Sequence, residues 1–420
     1  MWGRGTVEDF RSFLRPGILD NGVRLPSTGT RQKNNSDGRF RSPVVCANQG
    51  DTLELVDLLN SDAAELPFTG QDDLEKQLRD RFDSYFVEAA KVSSSDAAAT
   101  IFLGSLADSK KLADALVAAL GHWLDAEPDE ALNALDSGLT PLDPKVVDLT
   151  SKEVPGSSTG PMFRTRVGQL GDRLSAGEMF HIPFEMRDRV ATQRYSFPGL
   201  PCLYLGRSIY VCWEEMGRPD LHSLWISKFE VAPGQHVQVL DFGHRPALVA
   251  AGLAHTQDSG KNGITPAMAA AYAALWPLIA GCSVRRHPSR KRSFVVEYVI
   301  PQLLLRWLVR RMRNGKGDIL DGIRYFSSHI EDHDVGLAGM NYVFPAQVRA
   351  KTGYCTALRS KFHLTPPTNW QIAISGQFAP PHTSYNNVRF AMTPGWVEDY
   401  KFTNFGRVEA FVDQLAAGAV

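Results

Sequence analysis

The sequence predicts an α+β protein, in which a small all-α region precedes a larger region of mixed helices and strands. Apolar residues recur at spacings of three and four in residues 74–89 and 112–124, a pattern typical of amphipathic helices. Beyond residue 161, short runs rich in β-branched and aromatic residues indicate strands. Further helices are predicted to start at Thr265-Pro266, where Thr can cap and Pro suits the first turn, and at Pro301.

These changes of pattern divide the chain into four parts. Residues 1–43 are polar and rich in Gly, Arg, Asn and Ser, which predicts a flexible arm. Residues 44–140 are expected to form a helical N-terminal domain. Residues 141–161 contain four prolines and little periodicity, which indicates a linker with few signs of a shared core. Residues 162–420 are expected to form a larger domain of mixed helices and strands.

Composition and charge narrow the class of protein. The formal net charge of −1 does not favour a dedicated binder of nucleic acid or anionic membranes. The basic run at residues 285–292 is interpreted as a solvated loop, so nucleic acid is not an expected partner. Five scattered cysteines without a CxxC pair suit a reducing compartment and predict no metal site. With no secretory signal and no run of 18 apolar residues, we expect a cytoplasmic protein that does not span a membrane.

Several polar and aromatic residues of the second half recur at fixed spacings. Tyr204 follows Arg194 by ten residues, with a Pro-Gly turn between them. Glu215 follows Tyr204 by eleven residues, on a predicted helix. A late Tyr325-Phe326-Ser327 element precedes a predicted strand at residues 341–345. Each motif is weak alone, but their order and spacing together form a specific pattern.

This pattern resembles the RES family, which is named for its Arg, Glu and Ser residues. The resemblance covers about residues 160–350. The segment 297–304 is also similar to a segment of larger members, and the N-terminal half resembles, more weakly, the helical region of some long members. Such regions are sometimes grouped with HEPN ribonucleases, but residues 44–140 contain no Arg-x4–6-His element, so nuclease activity is not predicted.

The resemblance implies a fold like that of ADP-ribosyltransferases and cleavage of the nicotinamide–ribose bond of NAD. NAD would be the substrate rather than a cofactor, with water or inorganic phosphate as acceptor. Several short members are toxins held by an antitoxin, so an antitoxin is an expected partner, and a homodimer is a family expectation. The catalytic residues implied are Arg194, Tyr204, Glu215 and Ser327.

The residue types fit this chemistry. Nicotinamide leaves through an oxocarbenium-like transition state, which the carboxylate of Glu215 can stabilise. The guanidinium of Arg194 offers a planar fork of donors to the diphosphate. Tyr204 or Tyr195 can offer an aromatic face to the cationic nicotinamide ring. Ser327 is expected to hydrogen-bond the nicotinamide ribose or the acceptor.

Two neighbouring arginines and two neighbouring glutamates leave alternatives open. Arg164 and Arg166 lie on a predicted strand, where either can reach the ligand phosphates or form an ion pair. Helical periodicity over residues 208–216 predicts a buried stripe that turns Glu214 toward solvent and Glu215 toward a cleft rim.

The function also keeps alternatives. Tyr204 lies in an apolar strand, and spacing alone favours a core tyrosine with a satisfied hydroxyl. The same residues could transfer ADP-ribose to a macromolecule. The chain could also be a catalytically idle module in which the helical half binds a partner. Release of nicotinamide from NAD without any macromolecule distinguishes these three hypotheses.

Overall fold

A computed structural model describes most of the chain beyond residue 51. The described residues are 52–156, 160–169, 171–254, 264–286, 294–315, 320–330, 336, 338–376, 389–393 and 396–420. The expected arm at residues 1–43 lies outside them, as does most of the basic run, from residue 287 onward. Residues 51–420 form one compact unit that contains both helices and a mixed sheet, which confirms the α+β class.

Helices dominate the first third of the described chain and return after the first strands. The α-helices are α1 (Leu55–Asn60), α2 (Leu74–Ala89), α3 (Ala97–Leu103), α4 (Leu106–Leu124), α5 (Pro128–Leu139), α6 (Asp143–Asp148), α7 (Ile209–Glu215), α8 (Pro246–Ala254), α9 (Pro266–Ala274), α10 (Trp276–Cys282), α11 (Val299–Asn314), α12 (Thr356–Arg359), α13 (Trp370–Ser375) and α14 (Asn404–Asp413). Short 3-10 helices include Phe184–Arg189, which is kinked, and Val296–Tyr298.

The strands form one large sheet and one hairpin. They are β1 (Thr150–Glu153), β2 (Met162–Val167), β3 (Cys202–Gly206), β4 (Leu224–Val231), β5 (Val237–Phe242), β6 (Gly322–Phe326), β7 (Met340–Pro345), β8 (Phe362–Leu364), β9 (Thr368–Asn369), β10 (Arg389–Thr393), β11 (Trp396–Asp399) and β12 (Gly418–Ala419). The large sheet has the order β1-β5-β6-β7-β3-β2-β4-β8-β12, with β9 also pairing β4, while β10 and β11 pair with each other. Strands β5 and β6 are parallel, and the other described pairs are antiparallel.

The helix boundaries follow local capping chemistry. Thr265 accepts a hydrogen bond from the N–H of Met268 at 3.1 Å and caps α9, as expected from the Thr-Pro pair. A new helix, α10, starts one residue before Pro277, because proline cannot continue the hydrogen-bond ladder of α9. Helix α11 starts at Val299, two residues before the predicted Pro301, and ends at Gly315, whose φ of 61° suits glycine.

The helices of the first part share one apolar core with the later helices. Tyr85 of α2 stacks on Trp276 of α10, with ring centroids 4.0 Å apart, and donates a hydrogen bond to the carbonyl of Ala273 at 2.8 Å. Trp276 Nε1 in turn donates to the carbonyl of Ala64. Residues 44–140 were expected to form a domain of their own, but the described helices of this region bury their apolar faces against α9–α11.

The segment expected to be a linker also contributes to the sheet. Residues 143–148 form α6, and residues 150–153 form β1, which pairs with β5 at the sheet edge. Glu153, which is 2% exposed, accepts hydrogen bonds from Arg324 of β6 and Tyr342 of β7 at 3.0 and 2.9 Å. Arg207 lies 3.5 Å from the same oxygen, and Arg324 also pairs with the buried carboxylate of Asp241. Glu153 can be buried because its carboxylate has hydrogen-bond and ion-pair partners. The prolines from which a linker was predicted give no sign of those partners.

Candidate functional site

A cleft of about 670 Å³ lies where the central sheet opens between β2 and β3. These two strands are paired in the described structure only at Phe163 and Gly206, so they separate beyond that point. Arg164 spans the gap, because its Nη1 donates to the carbonyl of Tyr204 on β3 at 2.9 Å. The volume is within the range of about 300–1,000 Å³ that is usual for small-molecule sites.

Glu215, at the end of α7, is anchored on one side of the cleft. Its Oε1 accepts hydrogen bonds from Ser327 Oγ at 2.7 Å and from Asn341 Nδ2 at 2.8 Å. Its Oε2 lies 3.8 Å from Nε2 of His329. The Glu215 side chain remains 31% exposed, and Oε2, unlike Oε1, forms no hydrogen bond with any residue that the structure describes.

The position of Glu215 depends on the close approach of α7 to the sheet. Ser208 caps α7 by accepting from the N–H of Val211 at 3.0 Å. A Cβ at Gly206 would lie 2.5 Å from Cγ1 of Val211 and 2.6 Å from Sγ of Cys212, so only glycine permits this packing. Glu409 of α14 accepts a hydrogen bond from the N–H of Ile209 at 2.6 Å and holds the first turn.

The two adjacent glutamates of α7 face different surroundings. Glu215 lines the cleft, as the helical periodicity predicted. The expected turn of Glu214 toward solvent is wrong, because Glu214 is 5% exposed and pairs with Nε of Arg218 at 2.8 Å. The buried stripe predicted from the periodicity was Ile209, Cys212, Trp213 and Met216. Ile209 is buried as expected, but Met216 is 38% exposed and Val211 is buried instead. Because α7 has only two turns, a short apolar pattern does not determine its rotation.

Arg194 lines the cleft but is largely engaged with the protein. Its Nη1 donates to the carbonyls of Cys282 and Val284 at 3.1 and 2.8 Å, and its Nη2 donates to Ser328 Oγ at 2.8 Å. Its guanidinium carbon lies 5.1 Å from the ring centroid of Tyr298. Both hydrogens of Nη1 are therefore used, which leaves Nη2 and Nε as the donors that could face a ligand.

The two tyrosines proposed for ring binding occupy different positions. Tyr204 lines the cleft, and its hydroxyl donates to the carbonyl of Tyr195 at 2.6 Å, which is the satisfied hydroxyl that a core tyrosine would show. Tyr195 is 1% exposed and lies behind the cleft wall, where its ring contacts that of Tyr325 at a centroid distance of 4.6 Å. Tyr325 of β6 presents an aromatic ring to the cleft instead. Burial raises the pKa of Tyr195, Tyr204 and Tyr325 well above the ordinary value.

Arg164 and Arg166 project into the cleft from β2. They alternate with Thr165 along the strand and therefore share one side of it. Burial, and then the mutual repulsion with Arg166, lower the pKa of Arg164. Burial likewise lowers the pKa of Arg166, which reaches the carbonyl of Phe180 at 3.5 Å. Neither guanidinium forms an ion pair with any residue that the structure describes, so the alternative role in an ion pair is not observed. An anion in the cleft would relieve the repulsion between the two guanidinium groups.

Ser327 is close to Glu215 rather than on the cleft surface. It follows the last residue of β6, is 2% exposed, and also accepts from the N–H of His329 at 3.1 Å. Its neighbour Ser328 is bound to Arg194. The structure therefore brings Ser327, Glu215, Tyr204 and Arg194 around one cleft and leaves Tyr195 outside it.

Sequence reasoning missed several residues of the cleft. Asn341 lies in an otherwise apolar strand, and a buried amide there was a usable signal because Asn is depleted in strands. His329 follows Ser327 by two residues, but a lone histidine carries no pattern. The other cleft-lining residues that the sequence did not single out include Arg189 and Tyr354. Tyr325 belongs to the Tyr325-Phe326-Ser327 element, but it was not assigned a role in ring binding.

The described part of the chain contains no group of three or more His, Cys, Asp or Glu side chains that could hold a metal ion. Cys212 lines the cleft, and burial raises its pKa to about 12, so it remains a protonated thiol. His181 accepts from the N–H of Cys355 at 2.9 Å, and burial lowers the pKa of this histidine to about 4. Both groups are held in neutral form at neutral pH, so the charge of the cleft comes mainly from its arginines and from the carboxylates of Glu178 and Glu215.

Fold and site together define an α+β protein with a cationic, tyrosine-lined cleft around one anchored carboxylate. The chain is 31% identical over 372 residues to the protein named "Putative toxin YopC" of Bacillus subtilis (strain 168), across 86% of this chain and 81% of that protein. At that identity and coverage, the chain belongs to the family of that protein. No family model and no solved structure matches the chain. Among the described residues, no helix is long and apolar enough to cross a membrane.

Proposed function

We propose that this protein cleaves the nicotinamide–ribose bond of NAD in the cleft between β2 and β3. The observation that carries the proposal is the partly exposed carboxylate of Glu215, whose Oε1 is held by Ser327 and Asn341 while Oε2 forms no hydrogen bond with the described residues. A fixed carboxylate stabilises developing positive charge without reorganising during the reaction. The RES-like spacing of the same residues supports this reading.

Bond cleavage needs little acid–base assistance at this site. The C–N bond breaks with its electron pair moving to the nicotinamide nitrogen, so nicotinamide leaves as a neutral molecule. The ribose becomes oxocarbenium-like, and Glu215 Oε2 can oppose that charge. Water then adds to the anomeric carbon and loses a proton, whereas inorganic phosphate adds as an anion.

The diphosphate would lie against the cationic wall. Burial lowers the pKa of both Arg164 and Arg166, and the charge of Arg166 lowers that of Arg164 further, so an anion bound beside them would stabilise their charged forms. Arg189 also lines the cleft. Since Nη1 of Arg194 is committed to carbonyls, Arg194 would contribute charge from Nη2 and hold the wall, rather than clamp a diphosphate with its full fork.

The aromatic residues suit the two rings of NAD. Tyr204, Tyr298, Tyr325 and Tyr354 all line the cleft. A cationic nicotinamide ring is attracted to the face of an aromatic ring, and an adenine stacks on one. After cleavage the nicotinamide is neutral, so this attraction weakens in the product.

The family relationship supports a biological role as a toxin. The relative from Bacillus subtilis is named as a putative toxin, and an enzyme that depletes NAD harms the cell that contains it. We propose that an antitoxin controls the protein and that it acts in the cytoplasm. A homodimer and inorganic phosphate as co-substrate remain proposals from the RES resemblance.

The direct test is to incubate the purified full chain with NAD, with and without inorganic phosphate, and to identify the products by mass spectrometry. We expect nicotinamide, together with ADP-ribose in water or its phosphorylated form when phosphate is the acceptor. Nicotinamide release that requires an added macromolecule would favour ADP-ribose transfer. The absence of any release would favour a binding module.

A further inference from the structure

A second cleft, of about 700 Å³, lies behind one wall of the first. Helices α5 and α11 form one side of it, and the kinked helix Phe184–Arg189 with the turn at residues 197–200 forms the other. The kinked helix borders both clefts, since Met186 and Arg189 line the first and Phe184 and Arg187 line the second. The second cleft is therefore separate from the site of the proposed function but shares a wall with it.

Five arginines line this second cleft. Arg306, Arg310 and Arg313 recur at i, i+4 and i+7 on α11 and so lie on one face of the helix. Arg349 approaches from the loop after β7, and Arg187 from the shared wall. Arg310, Arg313 and Arg349 are exposed and form no hydrogen bond or ion pair with any residue that the structure describes.

The negative charge near these arginines is small. Asp129 of α5 is the acidic residue of the lining, and it pairs with Arg306 at 2.8 Å. Arg187 donates to the carbonyls of Gly199 and Ala350, which are neutral acceptors. The cleft thus concentrates positive charge that the described residues do not neutralise, in a protein whose formal net charge is −1. Such a concave cationic site attracts anions.

An aromatic ring stands beside the arginines. Phe197, in the turn before β3, is 38% exposed. The guanidinium carbon of Arg306 lies 5.9 Å from the centroid of the Phe197 ring. Pro198 and Gly199 follow, and Gly199 has a φ of 75°, which suits the tight turn that presents Phe197 at the cleft. The ring offers a face on which a planar group can stack.

We propose that the second cleft binds a nucleoside phosphate, with its phosphates on Arg310, Arg313 and Arg349 and its base against Phe197. Guanidinium groups recognise phosphate with paired hydrogen bonds, and bases stack on aromatic rings. The volume matches a small molecule rather than a folded partner or a nucleic-acid helix. This inference does not rest on the proposed NAD cleavage.

The test is calorimetric titration of the full chain with ADP and, separately, with inorganic pyrophosphate. The variant Arg310→Gln/Arg313→Gln removes two exposed charges of the cleft. Its matched control, Arg173→Gln/Arg407→Gln, removes two exposed arginine charges elsewhere. We expect the affinity of the second cleft for ADP to fall about tenfold or more in Arg310→Gln/Arg313→Gln and to be unchanged in the control. Any ADP held by the first cleft contributes equally to all three proteins.

A further variant tests the aromatic contact. Phe197→Leu should weaken binding of ADP but not of pyrophosphate, because only ADP carries a base. Identical ADP isotherms for wild type, Arg310→Gln/Arg313→Gln and the control would overturn the proposal. So would a loss that is equal in the control, since that would reflect net charge alone. Equal weakening of ADP and pyrophosphate in Phe197→Leu would contradict the base contact. Each of these binding results can be interpreted even if the protein does not cleave NAD.

Discussion

At the scale of single residues, two adjacent serines hold the two principal charged groups of the first cleft. Ser327 donates to Glu215, and Ser328 accepts from Arg194. The sequence predicted that Ser327 contacts the ligand directly. Ser327 is only 2% exposed, which indicates instead that its hydroxyl positions the carboxylate of Glu215, and that this carboxylate would contact the ligand.

Replacing each of the two serines by alanine should therefore change a different kinetic constant. Ser327→Ala removes a hydrogen bond to a charged group, which contributes about 1.5–3 kcal/mol, so kcat for NAD should fall roughly 10- to 100-fold. Ser328→Ala loosens Arg194 on the phosphate side and should mainly raise KM. Steady-state kinetics of both variants, after their melting temperatures are shown to match wild type, checks this. A larger loss of kcat in Ser328→Ala would contradict the assignment.

The identities of these residues could be predicted, but not all of their contacts. The resemblance to the RES family selected Arg194, Tyr204, Glu215 and Ser327, and their catalytic roles stay predictions. Their partners come from distant segments: Glu215 meets Asn341, 126 residues away, and Arg194 meets the carbonyl of Val284, 90 residues away. Local patterns carry no information about such pairs.

At the scale of elements, α7 is the helix that carries Glu215, and its first turn is held from α14. Glu409 is 4% exposed and accepts hydrogen bonds from the N–H of Ile209 and the hydroxyl of Tyr400. Burial raises the pKa of Glu409 to about 8, above its ordinary 4.5. Between these values the unfolded chain releases a proton that the folded protein keeps, so this group makes the protein less stable as pH rises through that window.

Glu409→Gln should remove this contribution, because Gln keeps the accepting oxygen and cannot ionise. Relative to wild type, the variant should gain melting temperature from about pH 5 to about pH 8, with the two proteins closest at the acidic end. Thermal unfolding of both proteins across that range is the measurement. A melting-temperature difference that does not vary with pH would contradict a raised pKa at Glu409.

Element types were more predictable than element roles. The strong periodicity of α2 and α4 and the Thr265 cap of α9 identified these helices, since apolar spacing and capping are local properties. The segment at residues 141–161 was misread because β1 is short and polar, with Glu153 as its buried residue. Its place in the sheet depends on Arg324 and Tyr342, which lie far along the chain.

At the scale of the whole molecule, the helical part and the sheet part are joined through one core. The linker predicted at residues 141–161, with few signs of a shared core, would let a fragment starting near residue 157 fold alone, but the contacts favour the opposite outcome. Such a fragment would lose the partners of Trp276 and the side chain of Glu153, leaving apolar helix faces exposed and a buried charge group incomplete. We expect it to be aggregated or to lack cooperative unfolding. A soluble fragment with a sharp thermal transition would contradict this account.

The shared core also bears on how the cleft is built. Arg194 reaches the carbonyls of Cys282 and Val284 at the end of α10, and α10 packs on the first helices. The helical region therefore supports one wall of the cleft through α10. The whole described unit, rather than the sheet alone, positions the charged groups.

The central claim is that the carboxylate of Glu215 stabilises positive charge through Oε2 as NAD is cleaved. The most direct measurement is nicotinamide release at saturating NAD by wild type, Glu215→Gln and Glu214→Gln, after equal melting temperatures are confirmed. Glu214 is the matched control, because it is the adjacent carboxylate on the same helix but pairs with Arg218 away from Ser327 and Asn341. We predict that Glu215→Gln loses at least about a hundredfold in kcat, and that Glu214→Gln loses less than about tenfold, or 1.4 kcal/mol of barrier. Wild-type turnover that persists in Glu215→Gln, or falls further in Glu214→Gln, would contradict the claim.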